Sequence, residues 1–166
     1  MPSPKIRQFL DEGGAKYAVI NHSPAFTAQE VAASAHVPGK ALAKTVIVKL
    51  DNELAIAVVP ATQQLNFDLL KAAAGAKTGM LASEPEFMRR FPDCEVGAIP
   101  PFGRSYDLPL YVEKDLAKEE HIAFCAGTHR DVIAMKFADY RRVAHPRLAR
   151  IGTVSEPEEA LCFDCT

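Results

Sequence analysis

Lys44 heads the apolar run TVIVKL. A lysine at the mouth of such a strand is either an edge residue whose stem lies on apolar surface or a cation aimed into a cleft. A second chemical feature is GAIPPFG, Gly97 to Gly103, which packs two glycines and two consecutive prolines into seven residues without a charge. Proline fixes φ and glycine allows close approach, so such a loop can hold its backbone groups rigidly towards a ligand. Within it, Gly97 and Pro101 bracket Ala98, Ile99 and Pro100, and Phe102 follows. A third is Gly127-Thr128-His129, directly after the apolar run HIAFCA. It brings a hydroxyl and an imidazole to a strand end, a common way to build a pocket wall. The fourth is HSPAFT, His22 to Thr27, whose polar groups turn and cap roles already explain.

Other chemistries lack their residues. The chain has no GxxxxGK[ST] or GxGxxG phosphate loop, no HExxH and no GxSxG. Its five histidines, His22, His36, His121, His129 and His145, show no ligand spacing, so neither a metal nor a cofactor is expected. Cys162 and Cys165 form a single CxxC at the C-terminus, without the second pair that a zinc site needs. Cys94 and Cys125 sit in apolar text and read as packing residues.

The elements that must position these features follow from periodicity. Ser3–Glu12 has helical spacing closed by Gly13-Gly14, and Tyr17–Ile20 reads as a short strand. Thr27-Ala28-Gln29-Glu30 is a capping box that opens a helix ending at Pro38-Gly39. AKTVIVKL and LAIAVVPA, joined by Asp51-Asn52-Glu53, predict a hairpin. Both runs are apolar almost throughout, which places the hairpin in the middle of a sheet covered on both faces. Helices are predicted over Asn66–Ala74 and Ser83–Phe91, strands over LPLYVE, HIAFCAG and VIAMKF, and a short helix over ADYRRVA with Arg141 and Arg142 outward. From His145 onward the periodicity fades, HPRLAR is basic and the last dozen residues are acidic. The expected architecture is a single α+β domain around a mixed, partly barrel-like sheet flanked by helices.

Length and composition agree with that. With 166 residues and 48% hydrophobic, the chain suits one domain with a full core. A net charge of −2 argues against a wholesale grip on a long nucleic acid such as DNA. No run of about 18 apolar residues predicts a membrane span. The start, MPSPKIRQFLDEGG, reads as mature protein, and the cysteine usage suits a reducing cytoplasm.

Lys44 heading a central strand, the GxxxP loop of Gly97–Pro101 and the GTH turn together resemble the bacterial YbaK family. This is the prolyl-tRNA-synthetase-associated editing domain, which includes free-standing ProX-type proteins. The order HSPAFTAQEVA, AKTVIVK, DCEVGAIPPFG, FCAGTH matches over roughly residues 5 to 145. The resemblance implies an editing domain over 1–150, with 151–166 as an acidic tail. It implies hydrolysis, without a cofactor, of the ester between a wrong small amino acid and the 3′ end of a tRNA. Lys44 would engage the terminal adenosine and its phosphate, and the Gly97–Pro101 backbone would orient the ester. His22, Thr27, Ile99, Pro100, Phe102, Gly127, Thr128 and His129 would line the substrate site. A synthetase or an elongation factor would be a further partner. The alternative expectation is a non-catalytic module of the same fold that binds aminoacyl or nucleotide ends.

Overall fold

The computed structural model describes residues 4–21 and 37–154. His22, Thr27 and the capping-box helix expected after them lie outside the described residues, as does the CFDC motif. Helix α1 (Pro4–Glu12) buries Ile6 and Leu10 and leads into β1 (Tyr17–Asn21). Strands β2 (Leu42–Leu50) and β3 (Glu53–Pro60) form the expected hairpin. Its connection is two residues instead of three: Leu50 pairs with Glu53, while Asp51 and Asn52 take φ of 50° and 69°. Two successive left-handed residues give the turn whose twist matches paired strands, and Asp and Asn tolerate it best after glycine. Asp51 also accepts from the amides of Lys77 and Thr78.

Beyond the hairpin come β4 (Gln63–Leu65) and α2 (Phe67–Ala74), the latter capped by Asn66 accepting from Leu69 N. Next are β5 (Gly79–Leu81) and α3 (Glu84–Phe87), which opens with the Ser83/Glu86 capping box. The helix expected to run to Phe91 tightens into a 3-10 turn over Met88–Arg90. Pro92 disfavours helical backbone at Phe91, so the helix has to end before it. Strands β6 (Leu110–Glu113), β7 (His121–Cys125) and β8 (Asp131–Lys136) precede α4 (Phe137–Ala144). Two short strands not expected from the sequence close the described chain, β9 (Arg147–Ala149) and β10 (Gly152–Val154). Three residues are too few to show a period of two.

The main sheet runs β1-β8-β7-β2-β3-β6-β9, with β5 added beside β2. It is mixed: β2/β7, β3/β6 and β6/β9 are parallel, and the other pairs are antiparallel. A separate pair, β4/β10, is antiparallel. Because side chains alternate across a strand, β2 and β3 feed two cores. Ile47, Ile56 and Val58 pack with Ile6, Leu10, Phe91, Phe102, Phe124 and Tyr140. Val48, Ala57 and Val59 pack with Leu70, Tyr111 and Ile151 on the other face. Ile151 is fully buried and β10 pairs β4, so packing continues past Arg150 as far as β10.

Candidate functional site

The loop from Glu95 to Gly103 is held from three sides. Glu95 N donates to Gly127 O at 2.8 Å and Gly127 N donates to Ala98 O at 2.8 Å, a reciprocal pair that ties the loop to the end of β7. Ala98 N donates to Glu95 O at 3.1 Å and Phe102 N to Pro100 O at 2.9 Å. From beneath, the buried Tyr140 hydroxyl of α4 donates to Pro101 O at 2.8 Å. Gly97 forms the outward bend with φ of +83°, a conformation that side chains with a Cβ rarely adopt.

Side chains divide accordingly. Ile99 and Phe102 are in the core, and the Phe102 ring lies 5.3 to 5.5 Å from those of Phe9, Phe124 and Tyr140. Pro100 and Pro101 are buried as well. These residues anchor the loop, while Val96 (43% exposed) and Gly97 form its outer surface. The part of the loop open to solvent is therefore Glu95 to Gly97, while Ala98 to Gly103 are buried beneath it.

The 127–129 turn meets that backbone directly. His129 N donates to Glu95 Oε1 at 2.7 Å, and the His129 ring bonds the Val96 carbonyl through Nε2. A carbonyl only accepts, so Nε2 carries the proton in this contact. A Cβ built on Gly97 would lie 3.3 Å from His129 Cε1, which puts the imidazole edge over the glycine. Thr128 is committed to the turn itself: its hydroxyl donates to Asp131 Oδ2 at 2.7 Å and accepts from Asp131 N at 3.1 Å.

Lys44 is placed differently. Strand alternation puts it on the face of β2 that carries Val46 and Val48, opposite the face packed by Ile99 and Phe102. It is half-buried, and its Nζ donates to Gln63 O at 3.3 Å. Burial lowers its amine below the ordinary lysine pKa. The structure therefore brings Gly97–Pro101 and Gly127–His129 together, whereas the hydrogen bond described for Lys44 runs to β4.

Two site residues escape a reading of motifs. Glu95 looks like one more loop carboxylate, and only its place two residues before Gly97 hints at more. Tyr140 lies on the inward side of ADYRRVA, a position that outward Arg141 and Arg142 already mark. Cys94 and Cys125 are packing residues, their thiols pushed up to about 11 by burial. Among the described residues, no group of three or more His, Cys, Asp or Glu is placed to hold a metal ion.

The mixed sheet with its glycine-bent loop defines an α+β domain of a fold seen in solved proteins. A hypothetical protein superposes with a TM-score of 0.81 at 20% identity, covering 90% of this chain and 99% of its own. A crystal structure described as a candidate trans-editing enzyme for prolyl tRNA synthetase gives 0.77 at 19% identity, covering 91% and 96%. The sequence goes further: the aminoacyl-tRNA editing domain matches residues 22–143, and the chain belongs to that family. It is also 31% identical, over 152 residues, to the multifunctional Ser/Thr-tRNA deacylase ProXp-y of Escherichia coli (strain K12). That alignment covers 87% of this chain and 89% of the relative.

Proposed function

We propose that the protein is a trans-editing aminoacyl-tRNA deacylase, hydrolysing the ester that joins a small, wrongly attached amino acid to a tRNA 3′ end. The observation that carries this reading is the Glu95–Pro101 backbone, pinned by Gly127 and Tyr140 and bent outward at Gly97. Ester hydrolysis develops negative charge on the carbonyl oxygen, which fixed amide dipoles meet without reorganising. Glu95 N and Ala98 N already donate to carbonyls and the prolines have no N–H, so the amides of exposed Val96 and Gly97 take that role. Water supplies the attacking oxygen, the acyl–oxygen bond breaks, and the ribose oxygen leaves with a proton. The neighbouring ribose hydroxyl of the substrate assists, which dispenses with a protein nucleophile. Among the described residues, both cysteines have raised thiol pKa values, which keep them protonated and poor nucleophiles.

Lys44 engages the terminal adenosine and its phosphate, and His129, Ile99, Pro100, Phe102, Gly127 and Thr128 shape the amino-acid site directly or from behind. The relative acts on Ser/Thr-tRNA, so serine and threonine esters are the first substrates to try. A second sieve of this kind is needed because one methylene gives a synthetase only about 1–3 kcal/mol of discrimination. The reaction belongs in the cytoplasm, downstream of a synthetase or beside an elongation factor that hands over the acceptor end.

A panel of tRNAs mischarged with alanine, serine, threonine and other small residues tests the proposal, with Lys44→Ala as the paired variant. We expect turnover of at least one ester and a loss of about tenfold or more in the variant, the size that follows from misplacing a substrate. Binding of an uncleavable aminoacyl-adenosine analogue with no turnover of any ester would instead make the protein a non-catalytic sensor.

A further inference from the structure

Glu113 is a fully buried carboxylate with no part in the chemistry above. It sits at the end of β6 and satisfies three backbone donors at once. Oε1 accepts from Ile151 N at 2.9 Å and Gly152 N at 3.0 Å, and Oε2 accepts from Asp115 N at 2.8 Å. Through these three bonds the side chain clamps a strap that runs from Ile151 to Val154.

The strap in turn holds β4. Asn66 N donates to Ile151 O at 2.7 Å, and Gly152, Thr153 and Val154 pair with Leu65, Gln64 and Gln63. Gln63 is the residue whose carbonyl accepts from Lys44 Nζ. Its side chain is buried too, with Nε2 on Asp115 Oδ2 at 2.8 Å. Gly152 fits against this amide so closely that a Cβ there would collide with Gln63 Oε1. Thus Glu113, the strap, Gln63 and Lys44 form one continuous chain of contacts. Its C-terminal part lies beyond the residues, 22–143, that match the family.

We infer that the strap Ile151–Val154, clamped by Glu113, positions the Lys44 ammonium through the Gln63 carbonyl. Glu113, Gln63 and Gly152 are then positioning residues for the candidate site. The inference rests on the reading that Lys44 serves deacylation.

Gly152→Ala tests it, because the new methyl pushes on Gln63 without touching Lys44. Two readouts are taken: kcat/KM on the mischarged tRNA that the wild type turns over, and the ¹³C resonance of Lys44 Cε. We expect Gly152→Ala to lower kcat/KM by about tenfold and to move the Lys44 resonance, as small misplacements at a site do. Adding Gln63→Ala removes the colliding amide but keeps the carbonyl, leaving Val59 Cγ1 at 3.2 Å as the tightest neighbour. The double variant should recover both readouts. A folded Gly152→Ala protein with an unmoved Lys44 resonance, or a double variant that recovers neither, overturns the inference. Should Gly152→Ala not fold, Glu113→Gln keeps the volume but satisfies fewer amides; an unmoved Lys44 resonance there overturns it equally. Full activity in Lys44→Ala removes the underlying reading instead, and the resonance still judges the positioning.

Discussion

At Gly97 the backbone carries φ of +83° and the His129 edge lies where a Cβ would point. Both facts argue for the same substitution. Gly97→Ala should cost about 1 kcal/mol of stability from the left-handed backbone. Because the imidazole must also give way, the turnover number should fall more than the melting temperature suggests. Thermal melts beside single-turnover deacylation check this; unchanged turnover would remove Gly97 from the site. The glycine and the proline pair were visible in the sequence as features, since their conformational limits are intrinsic. The roles of Ile99 and Phe102 were not, because an apolar side chain looks the same whether it faces a ligand or a core. The folded structure places both in the core, Phe102 through its ring contacts with Phe9, Phe124 and Tyr140 and Ile99 through its burial in the same cluster.

A second residue-level expectation concerns pH. Lys49 Nζ lies 2.6 Å from Glu86 Oε2, and Ser83 N and Oγ donate to Glu86 Oε1. The Lys49 contact first, and Ser83 next, lower the Glu86 carboxyl from 4.5 to about 2. A carboxylate depressed in the folded state contributes stability above its ordinary range, and loses it as pH falls from about 4.5 through about 2. A ¹³C titration of Glu86 should show the low midpoint, and Lys49→Ala should raise it towards 4.5. A wild-type midpoint near 4.5 would mean that this ion pair is not formed in solution.

Among elements, α4 is the one that ties the core to the loop. Its inward Tyr140 is fully buried, and burial pushes the phenol pKa up, so the hydroxyl stays protonated as a donor to Pro101 O. Tyr140→Phe leaves that buried carbonyl without its partner, at a cost of about 1–3 kcal/mol. Denaturant melts read the stability, and amide exchange at Ala98 and Phe102 reads the loop. Faster exchange confined to this loop is the expected result; uniform change across the protein would make Tyr140 an ordinary core residue. The hairpin, α1, α2 and α4 follow from patterning because each has a strong period or a cap. Strands β4, β5, β9 and β10 have three residues each, and tertiary pairing makes them.

On the scale of the whole molecule, two small assemblies flank one central hairpin. One is the loop with its 127–129 turn over the aromatic core; the other is the strap and β4 beside Lys44. The mixed α+β class and the central position of β2 and β3 were readable from two near-continuous apolar runs. The sequence pattern did not reveal which face of β2 Lys44 joins, because a one-residue change of register reverses it. Nor did it join Glu113 to residues 38 and 39 positions later, a contact that only the folded chain makes.

The aromatic cluster beneath the loop has a spectroscopic use. The chain holds four tyrosines and no tryptophan, so no indole dominates its emission. Tyr106 and Tyr140 are the two phenols buried in the core that contains Phe102, one of them bonded to Pro101 O. Their ultraviolet signal can report local melting under the loop in the unlabelled protein. A single tryptophan installed at exposed Val96 would then be seen against a background with no other indole.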